Sequence, residues 1–215
     1  MNKAKQWIEN YWYHYKWPTV VVLFFAAVIS ICIVQMVNRT DYNMYVRYVG
    51  DQVITDTQYN DILASLGKLK SADKEDPDAE PNFAQVAYVS DDENPYKNEI
   101  NANAKATLSG FIVQPYYIYI MDAAAYELYK SESTFATLNQ TFDTDVSDIA
   151  YDEFAVYFNK TEFYKNSPGM EWVEDDTVIV LKVAPYKSII TDSKYRSEVK
   201  AFDAHTLIFK EIVGR

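Results

Sequence analysis

One uninterrupted apolar stretch, residues 18–37, constrains this chain more than any other feature of its sequence. Between Thr19 and Val37 there is no charged residue, and Gln35 is the only strongly polar side chain. As an α-helix these residues would span roughly 28 Å, about the thickness of a bilayer's hydrocarbon core. Such a helix satisfies its own backbone hydrogen bonds and can cross lipid alone. The sequence therefore predicts a transmembrane helix over residues 18–37, with the lipid bilayer as its partner.

The charges on either side of this stretch predict its orientation. Residues 1–17 contain three lysines and one glutamate, whereas the 178 residues after the stretch hold 17 basic and 30 acidic side chains. Because lysines beside a membrane span favour the cytoplasmic side, we expect residues 1–17 to be cytoplasmic and residues 41–215 to be extracytoplasmic. The chain is then a single-pass protein of the cell membrane.

Residues 1–17 are also rich in aromatic side chains, which favour the headgroup level of a bilayer. They are Trp7, Tyr11, Trp12, Tyr13, Tyr15 and Trp17. Several of them share one helical face, so this segment could lie in the interface before Pro18 redirects the chain. The apolar stretch has no small-x-small cleavage site at its end, which favours an uncleaved signal anchor over a signal peptide.

Residues 41–215 are enough for one domain with its own core. The 178 residues after the stretch carry an excess of 13 negative charges, which opposes binding to nucleic acid or to anionic lipid. Cys32 is the sole cysteine, which excludes an intrachain disulfide and a cysteine-based metal site.

Strands and helices alternate along this domain. Thr55 and Gln58 predict a capping box at the start of the first helix, and Gly67 predicts its end. The predicted strands are Tyr42–Val49, Phe83–Val89, Tyr116–Met121, Glu153–Phe158 and Thr177–Val183. Helices are predicted after Thr55, after Pro95, after Asp122 and from Asp192 to Gly214. This order favours an α/β fold, in which helices cover both faces of a mostly parallel, possibly mixed, sheet of about five strands, giving three layers. The last two strands could pair as an antiparallel hairpin.

Acidic residues follow the first three predicted strands. If those strands are parallel, Asp51, Asp91, Asp92 and Asp122 lie at one edge of the sheet, where ligands of open α/β sheets bind. Asp91, Asp92 and Asp122 are therefore candidate ligand-binding residues for an amine, a basic peptide or a divalent cation. The alternative is that they cap helices and face water.

Enzymatic chemistry has little support in the sequence. There are two histidines, and His205 is expected to be a surface or partly buried residue of the last helix. The five glycines are not clustered as in phosphate-binding loops. Asp73, Glu75, Asp76, Asp78 and Glu80 could surround calcium, but they lack the glycine and the spaced glutamate of an EF-hand, so a solvated loop is favoured. We therefore predict no catalytic residues, no metal and no cofactor.

Two resemblances complete the sequence evidence. The stretch YYIYIMDAAAYELYKSESTFATL, Tyr116 to Leu138, resembles a strand–helix unit of type 2 extracytoplasmic solute-binding proteins, and Leu108 to Phe111 resembles the helix before it. The overall layout is similar to that of small single-pass membrane proteins of Gram-positive bacteria with no assigned function. The domain is about one lobe of a solute-binding protein in size, and so too short for the usual two-lobed clamp.

These observations leave three hypotheses from different classes. The first is a non-enzymatic interaction module, anchored in the membrane, that serves a membrane or cell-surface complex. The second is a tethered ligand-binding domain related to solute-binding proteins, with an acidic site at the strand ends. The third, an enzyme using paired carboxylates, is the weakest, because no acidic pair stands out from the acidic background.

Overall fold

A computed structural model of the protein describes residues 3–37, 42–71, 80–110, 114–131, 133–170, 172–186 and 192–215. The chain forms two compact units, Met1–Thr40 and Asp41–Arg215. The four acidic residues Asp73, Glu75, Asp76 and Asp78 of the predicted loop lie outside the described residues.

The first unit contains helix α1, Lys3–Val37, which is 35 residues long. Its length is about 52 Å at the ordinary rise of a helix. It is long and apolar enough to cross a membrane, judged by length and composition. Pro18, expected to redirect the chain, lies inside α1, and helical structure continues on both sides of it. A proline removes one backbone donor, and the bonds of the neighbouring turns remain.

The second unit contains the remaining helices and five strands. In chain order they are β1 (Tyr42–Gly50), α2 (Asp56–Leu66), β2 (Glu80–Ala87), α3 (Lys97–Leu108), β3 (Ile118–Met121), α4 (Ala123–Tyr129), α5 (Leu138–Thr141), β4 (Ala155–Tyr157), a 3-10 helix (Phe158–Lys160), α6 (Glu162–Asn166), β5 (Val178–Leu181) and α7 (Asp192–Val213).

The five strands form one mixed sheet in the order β2-β1-β3-β5-β4. β1 pairs in parallel with both β2 and β3, and β5 pairs antiparallel with both β3 and β4. The five predicted strands and the parallel pairing of the first three are therefore confirmed, as is the antiparallel pairing of the last two. The chain has the predicted α/β fold, and its sheet is mixed.

Alternating side chains of β1 belong to two separate hydrophobic clusters. Val46 and Tyr48 pack in a cluster with side chains of α2 and α7. Val49 packs in a second cluster with side chains of α3 and α4. This division follows from the two-residue period of a strand, which sends successive side chains to opposite faces.

The local signals at the two ends of α2 are also confirmed. The Thr55 hydroxyl accepts from the Gln58 backbone N–H, and the Gln58 side chain accepts from the Thr55 backbone N–H, as a capping box requires. α2 ends before Gly67.

Candidate functional site

The carboxyl ends of β1, β2 and β3 lie at one edge of the sheet, because these strands are parallel. Asp51 follows β1, Asp91 and Asp92 come four and five residues after β2 ends, and Asp122 follows β3. We call this edge the carboxyl rim, and we include Glu174, whose charge acts on Asp122.

Asp122 is buried at the carboxyl rim, with only 8% of its surface exposed. One carboxylate oxygen, Oδ1, accepts a hydrogen bond from the Tyr48 hydroxyl at 2.9 Å. The other, Oδ2, accepts from the backbone N–H of Asp51, also at 2.9 Å. Although Asp122 occupies the N-cap position of α4, its side chain makes no capping hydrogen bond. The interpretation of Asp122 as a helix cap facing water is therefore wrong, because its oxygens accept hydrogen bonds from the Tyr48 hydroxyl and the Asp51 backbone N–H.

Gly50 makes this arrangement possible. A Cβ atom at residue 50 would lie 2.2 Å from Asp122 Oδ2 and 2.2 Å from the Tyr48 hydroxyl oxygen. These distances are far below van der Waals contact. Only glycine therefore lets the last residue of β1 pass beside the Asp122–Tyr48 hydrogen bond.

Burial raises the pKa of Asp122 to about 6, from an ordinary value of 3.8. The hydrogen bonds from Asp51 and Tyr48 oppose this rise, because they stabilise the charged carboxylate, whereas the charges of Asp51 and Glu174 add to it. Burial and the neighbouring Asp122 carboxylate likewise raise the pKa of Tyr48, which stays protonated. Asp122 thus changes its charge close to neutral pH.

Asp91 and Asp92 have a different environment, because both are exposed. Asp91 accepts from the backbone N–H of Glu93. Asp92 forms an ion pair with Lys97, 2.6 Å between Nζ and Oδ1, and this pair lowers the pKa of Asp92. All three predicted residues follow strands whose carboxyl ends lie at one edge of the sheet. The hydrogen bonds of Asp91 and Asp92 stay within their own loop and α3, and none of them involves Asp122.

Residues that the sequence did not indicate complete the carboxyl rim. The Gln52 amide donates to Asp51 at 3.2 Å and to Glu174 at 2.9 Å, so it bridges two carboxylates. Trp172 packs edge-to-face on Tyr48, with ring centroids 5.3 Å apart. The alternation of β1 could have indicated that Tyr48 faces a core, but no local signal places Glu174, 122 residues after Gln52, at this rim.

The start of the parallel strands carries a second group of polar side chains, three of which are buried. We call this opposite edge the amino rim and define it by Tyr45, Tyr117, Lys182 and His205. His205 was expected to be a surface or partly buried residue, but it is 4% exposed, because α7 packs this side of the helix on the sheet.

Both ring nitrogens of His205 are hydrogen-bonded. Nε2 accepts from the backbone N–H of Tyr45 at 3.0 Å, and Nδ1–H donates to the Ala201 carbonyl at 2.6 Å. The ring also packs on Tyr117, with centroids 4.8 Å apart. Burial and, to a smaller extent, the charge of Lys182 lower the pKa of His205 to about 4, although its hydrogen bond to the Ala201 carbonyl opposes this change. His205 is therefore neutral at physiological pH.

Lys182 is 5% exposed and follows β5 directly. Its Nζ donates to the Gln114 carbonyl at 2.8 Å and lies 4.2 Å from the centre of the Tyr117 ring. Burial lowers the pKa of Lys182 to about 8, and the charge of Glu198 opposes this change.

No protein-family model, curated protein or solved structure matches the chain. The resemblances to solute-binding proteins and to small bacterial membrane proteins therefore stay predictions. Within the described ranges, no group of three or more His, Cys, Asp or Glu side chains is arranged to hold a metal ion. The chemistry available at the carboxyl rim is that of an electronegative surface with one buried carboxyl group that titrates near pH 6.

Proposed function

We propose that this chain is a membrane-anchored, non-enzymatic interaction module of a membrane or cell-surface complex, with a three-layer α/β domain outside the cell. The observation that supports this best is the apolar surface of α1. None of the residues in the most apolar window of this helix is buried. A continuous exposed apolar surface of this size favours lipid or a partner's membrane span over water.

The proposed orientation places the N-terminus in the cytoplasm. It is supported by the lysines of residues 1–17 and by the acidic composition of residues 41–215. The exposed aromatic side chains of α1 add support, since three of them, Trp7, Tyr11 and Tyr15, stack at successive turns as part of an interfacial belt.

An interaction role is also favoured by the hydrogen bonds of the buried polar groups, whose partners belong to the protein itself. Asp122 accepts two hydrogen bonds from the protein, and both nitrogens of His205 are engaged. These groups hold strands and helices together, and such contacts favour a structural role over general acid–base catalysis.

Anchoring can be tested by placing charge in the span. Leu23→Arg together with Ile29→Arg should move the full chain out of the membrane fraction, because each arginine costs about 3 kcal/mol near the centre of a bilayer. Leu23→Phe with Ile29→Phe is the matched control and should stay in the membrane. Retention of the arginine variant would refute the span.

Orientation and complex formation need separate measurements. In a Cys32→Ser background, Asp92→Cys should react with a membrane-impermeant maleimide on intact cells, whereas Lys5→Cys should react only after permeabilisation. The reverse pattern would overturn the orientation.

After mild detergent extraction, the native chain should elute in a complex heavier than its own 24.9 kDa plus detergent. Elution only as a monomer would argue against an interaction module.

The second candidate is a tethered ligand-binding domain with Asp91, Asp92 and Asp122 as its acidic site. One observation favours it: burial, and to a smaller extent repulsion from the charges of Asp51 and Glu174, raises the pKa of Asp122, and a perturbed pKa is common at functional sites. A cationic ligand would relieve that repulsion.

Spermidine and Ca²⁺ are suitable probes for this site. Their binding would be measured by thermal shift on the native chain and on the double variant Asp91→Asn/Asp122→Asn. Loss of the shift in this variant, but not in the exposed control Asp203→Asn, would support a cation site.

A further inference from the structure

The strand β2 forms one edge of the sheet, and β1 is its partner on the inner side. Along a strand, the backbone N–H and C=O groups of successive residues point alternately to its two sides. The Tyr88 N–H, directly after β2, donates to the Gly50 carbonyl of β1 at 2.9 Å, so the even-numbered residues of β2 face β1. The backbone groups of Phe83, Gln85 and Ala87 therefore face outwards.

Two residues mark the ends of this outward-facing stretch. Val89 has the same orientation as Ala87, and its backbone is already paired with the Asn101 side chain of α3. Asn101 Oδ1 accepts from the Val89 N–H at 2.9 Å, and Nδ2 donates to the Val89 carbonyl at 2.8 Å, as a peptide group of an added strand would. At the other end Pro81 has no N–H. Between these ends, the described part of the chain supplies no hydrogen-bond partner to the outer side of β2.

A groove of about 280 Å³ lies beside this edge, between β2 and α3. Residues 85–87 form one wall, and Ile100, Asn103, Ala104 and Thr107 form the other. A strand added to β2 would direct every second side chain to the α3 side of the sheet, because successive side chains point to opposite faces. The groove therefore lies where those side chains would enter.

The charges near this edge favour a basic partner. Glu80, the first residue of β2, is exposed, and so are Asp91 and Glu93, which follow the strand. On α3, Lys97 forms an ion pair with Asp92, and the two other charges of the helix, one acidic and one basic, offset each other. Acidic side chains thus precede and follow the open stretch, which favours positive charge at both ends of a bound segment.

We propose that the outer edge of β2 is the docking site of an extended segment of a partner protein, with a small apolar centre and basic flanks. The segment adds to the sheet beside β2 and pairs with the backbones of Gln85 and Ala87, while its alternate side chains enter the groove beside α3. In this mode the backbone hydrogen bonds supply affinity and the groove supplies selectivity. This proposal rests on the interaction role proposed above, and it does not depend on membrane anchoring.

The test is peptide binding to the full chain in a nonionic detergent. The probe is a fluorescein-labelled, end-capped peptide in which valines and threonines alternate between flanking lysines. Its fluorescence anisotropy should rise to saturation as the native chain is added. The same peptide with glutamates in place of the lysines should bind at least about tenfold more weakly, because the acidic side chains at both ends of the edge repel it.

Two variants test the edge and the groove separately. Ala87→Pro removes an outward N–H and leaves the groups that face β1 in place, as edge strands tolerate. It should weaken binding of the lysine peptide at least about fivefold. Asn103→Trp should fill the groove and weaken binding by at least about the same factor. Asn98→Trp, at an exposed position of α3 outside the groove, is the matched control and should bind like the native chain.

Three results would overturn the proposal. They are no saturable binding of the lysine peptide by the native chain, equal binding by Asn103→Trp, or a native homodimer that Ala87→Pro converts to a monomer, which would make a second copy the occupant. Elution after detergent extraction tests the interaction role itself. A heavy complex that persists in both variants would refute this edge alone, whereas a native chain that elutes only as a monomer would argue against the interaction role.

Discussion

The two rims of the sheet bury opposite kinds of ionisable group and treat them in the same way. At the carboxyl rim burial raises the pKa of the acid Asp122, and at the amino rim it lowers the pKa of the bases His205 and Lys182. Each group moves towards its neutral form, since burial penalises charge of either sign. The comparison shows that burial opposes the charge of buried acids and bases alike, although at neutral pH only His205, with a pKa of about 4, is fully uncharged.

The two rims also differ in how tightly the backbone is packed around the buried group. At the carboxyl rim Gly50 leaves no space beside Asp122 and Tyr48. At the amino rim pockets adjoin Tyr117, Lys182 and His205. We therefore expect substitutions to damage the carboxyl rim more.

The largest effect should come from Gly50→Ala. Its new methyl group would collide with Asp122 and Tyr48, which must separate, and we expect a loss of about 3 kcal/mol in the free energy of unfolding. Gly67→Ala is the control, because its Cβ would meet its nearest neighbour at 3.4 Å. Urea unfolding of both variants measures the difference, and equal stability would show that the carboxyl rim can relax.

The pH dependence of stability should differ in sign between the rims. Because the folded-state pKa of Asp122, about 6, lies above its ordinary value of 3.8, its contribution is fully present below pH 3.8 and is lost as the pH rises through 6. For His205 the folded-state value of about 4 lies below 6.5, so its contribution is present above pH 6.5 and is lost as the pH falls through 4. Each amounts to about 3 kcal/mol.

Two variants separate these opposing contributions. Between pH 7 and pH 4, Asp122→Asn should lose stability relative to the native chain, and His205→Gln should gain it. Unfolding measured at several pH values provides the test. A change of the same sign in both variants would contradict the difference between the rims.

A smaller loss is expected for Tyr48→Phe, which removes the hydroxyl that donates to Asp122. A buried carboxylate that loses one donor should cost about 1–2 kcal/mol at neutral pH. The pKa of Asp122 should also rise further, which NMR titration of the carboxyl carbon can detect. Tyr186→Phe changes an exposed hydroxyl of the amino rim and should be neutral.

The smallest effect is expected for the exposed acids. Asp92→Asn and Asp91→Asn should leave the melting temperature unchanged, because a solvent-exposed ion pair such as Asp92–Lys97 contributes little. A clear drop in melting temperature would show that these residues take part in the buried network of Asp122.

The sequence predicted those features that depend on local pattern. The period of Tyr42–Val49 gave β1, and Thr55 with Gln58 gave the capping box. The alternation of strands with helices predicted the parallel pairing of the first three strands, which Asp91, Asp92 and Asp122 follow in the sequence.

Features that depend on distant partners were not predictable in this way. Asp122 after a strand has the local pattern of an N-cap, and only the packing of Tyr48 and Gly50 beside it shows that its oxygens face β1. His205 has neighbours of mixed polarity along α7, and its buried ring accepts a hydrogen bond from the backbone N–H of Tyr45, which lies 160 residues earlier in the chain. The position of β5 between β3 and β4 likewise follows from pairing across the whole domain.

The central position of β3 has a consequence for how the domain forms during synthesis. Ile118 pairs with Val46 on one side and with Leu181 on the other, so its second neighbour is synthesised 63 residues later. Until β5 is made, β3 presents an open, fully apolar edge, which is prone to pair with other chains. Contacts this distant along the chain also slow folding. A chain that stops before Val178 should therefore depend on chaperones or be degraded, and the five-stranded sheet can be completed only after β5 has been synthesised.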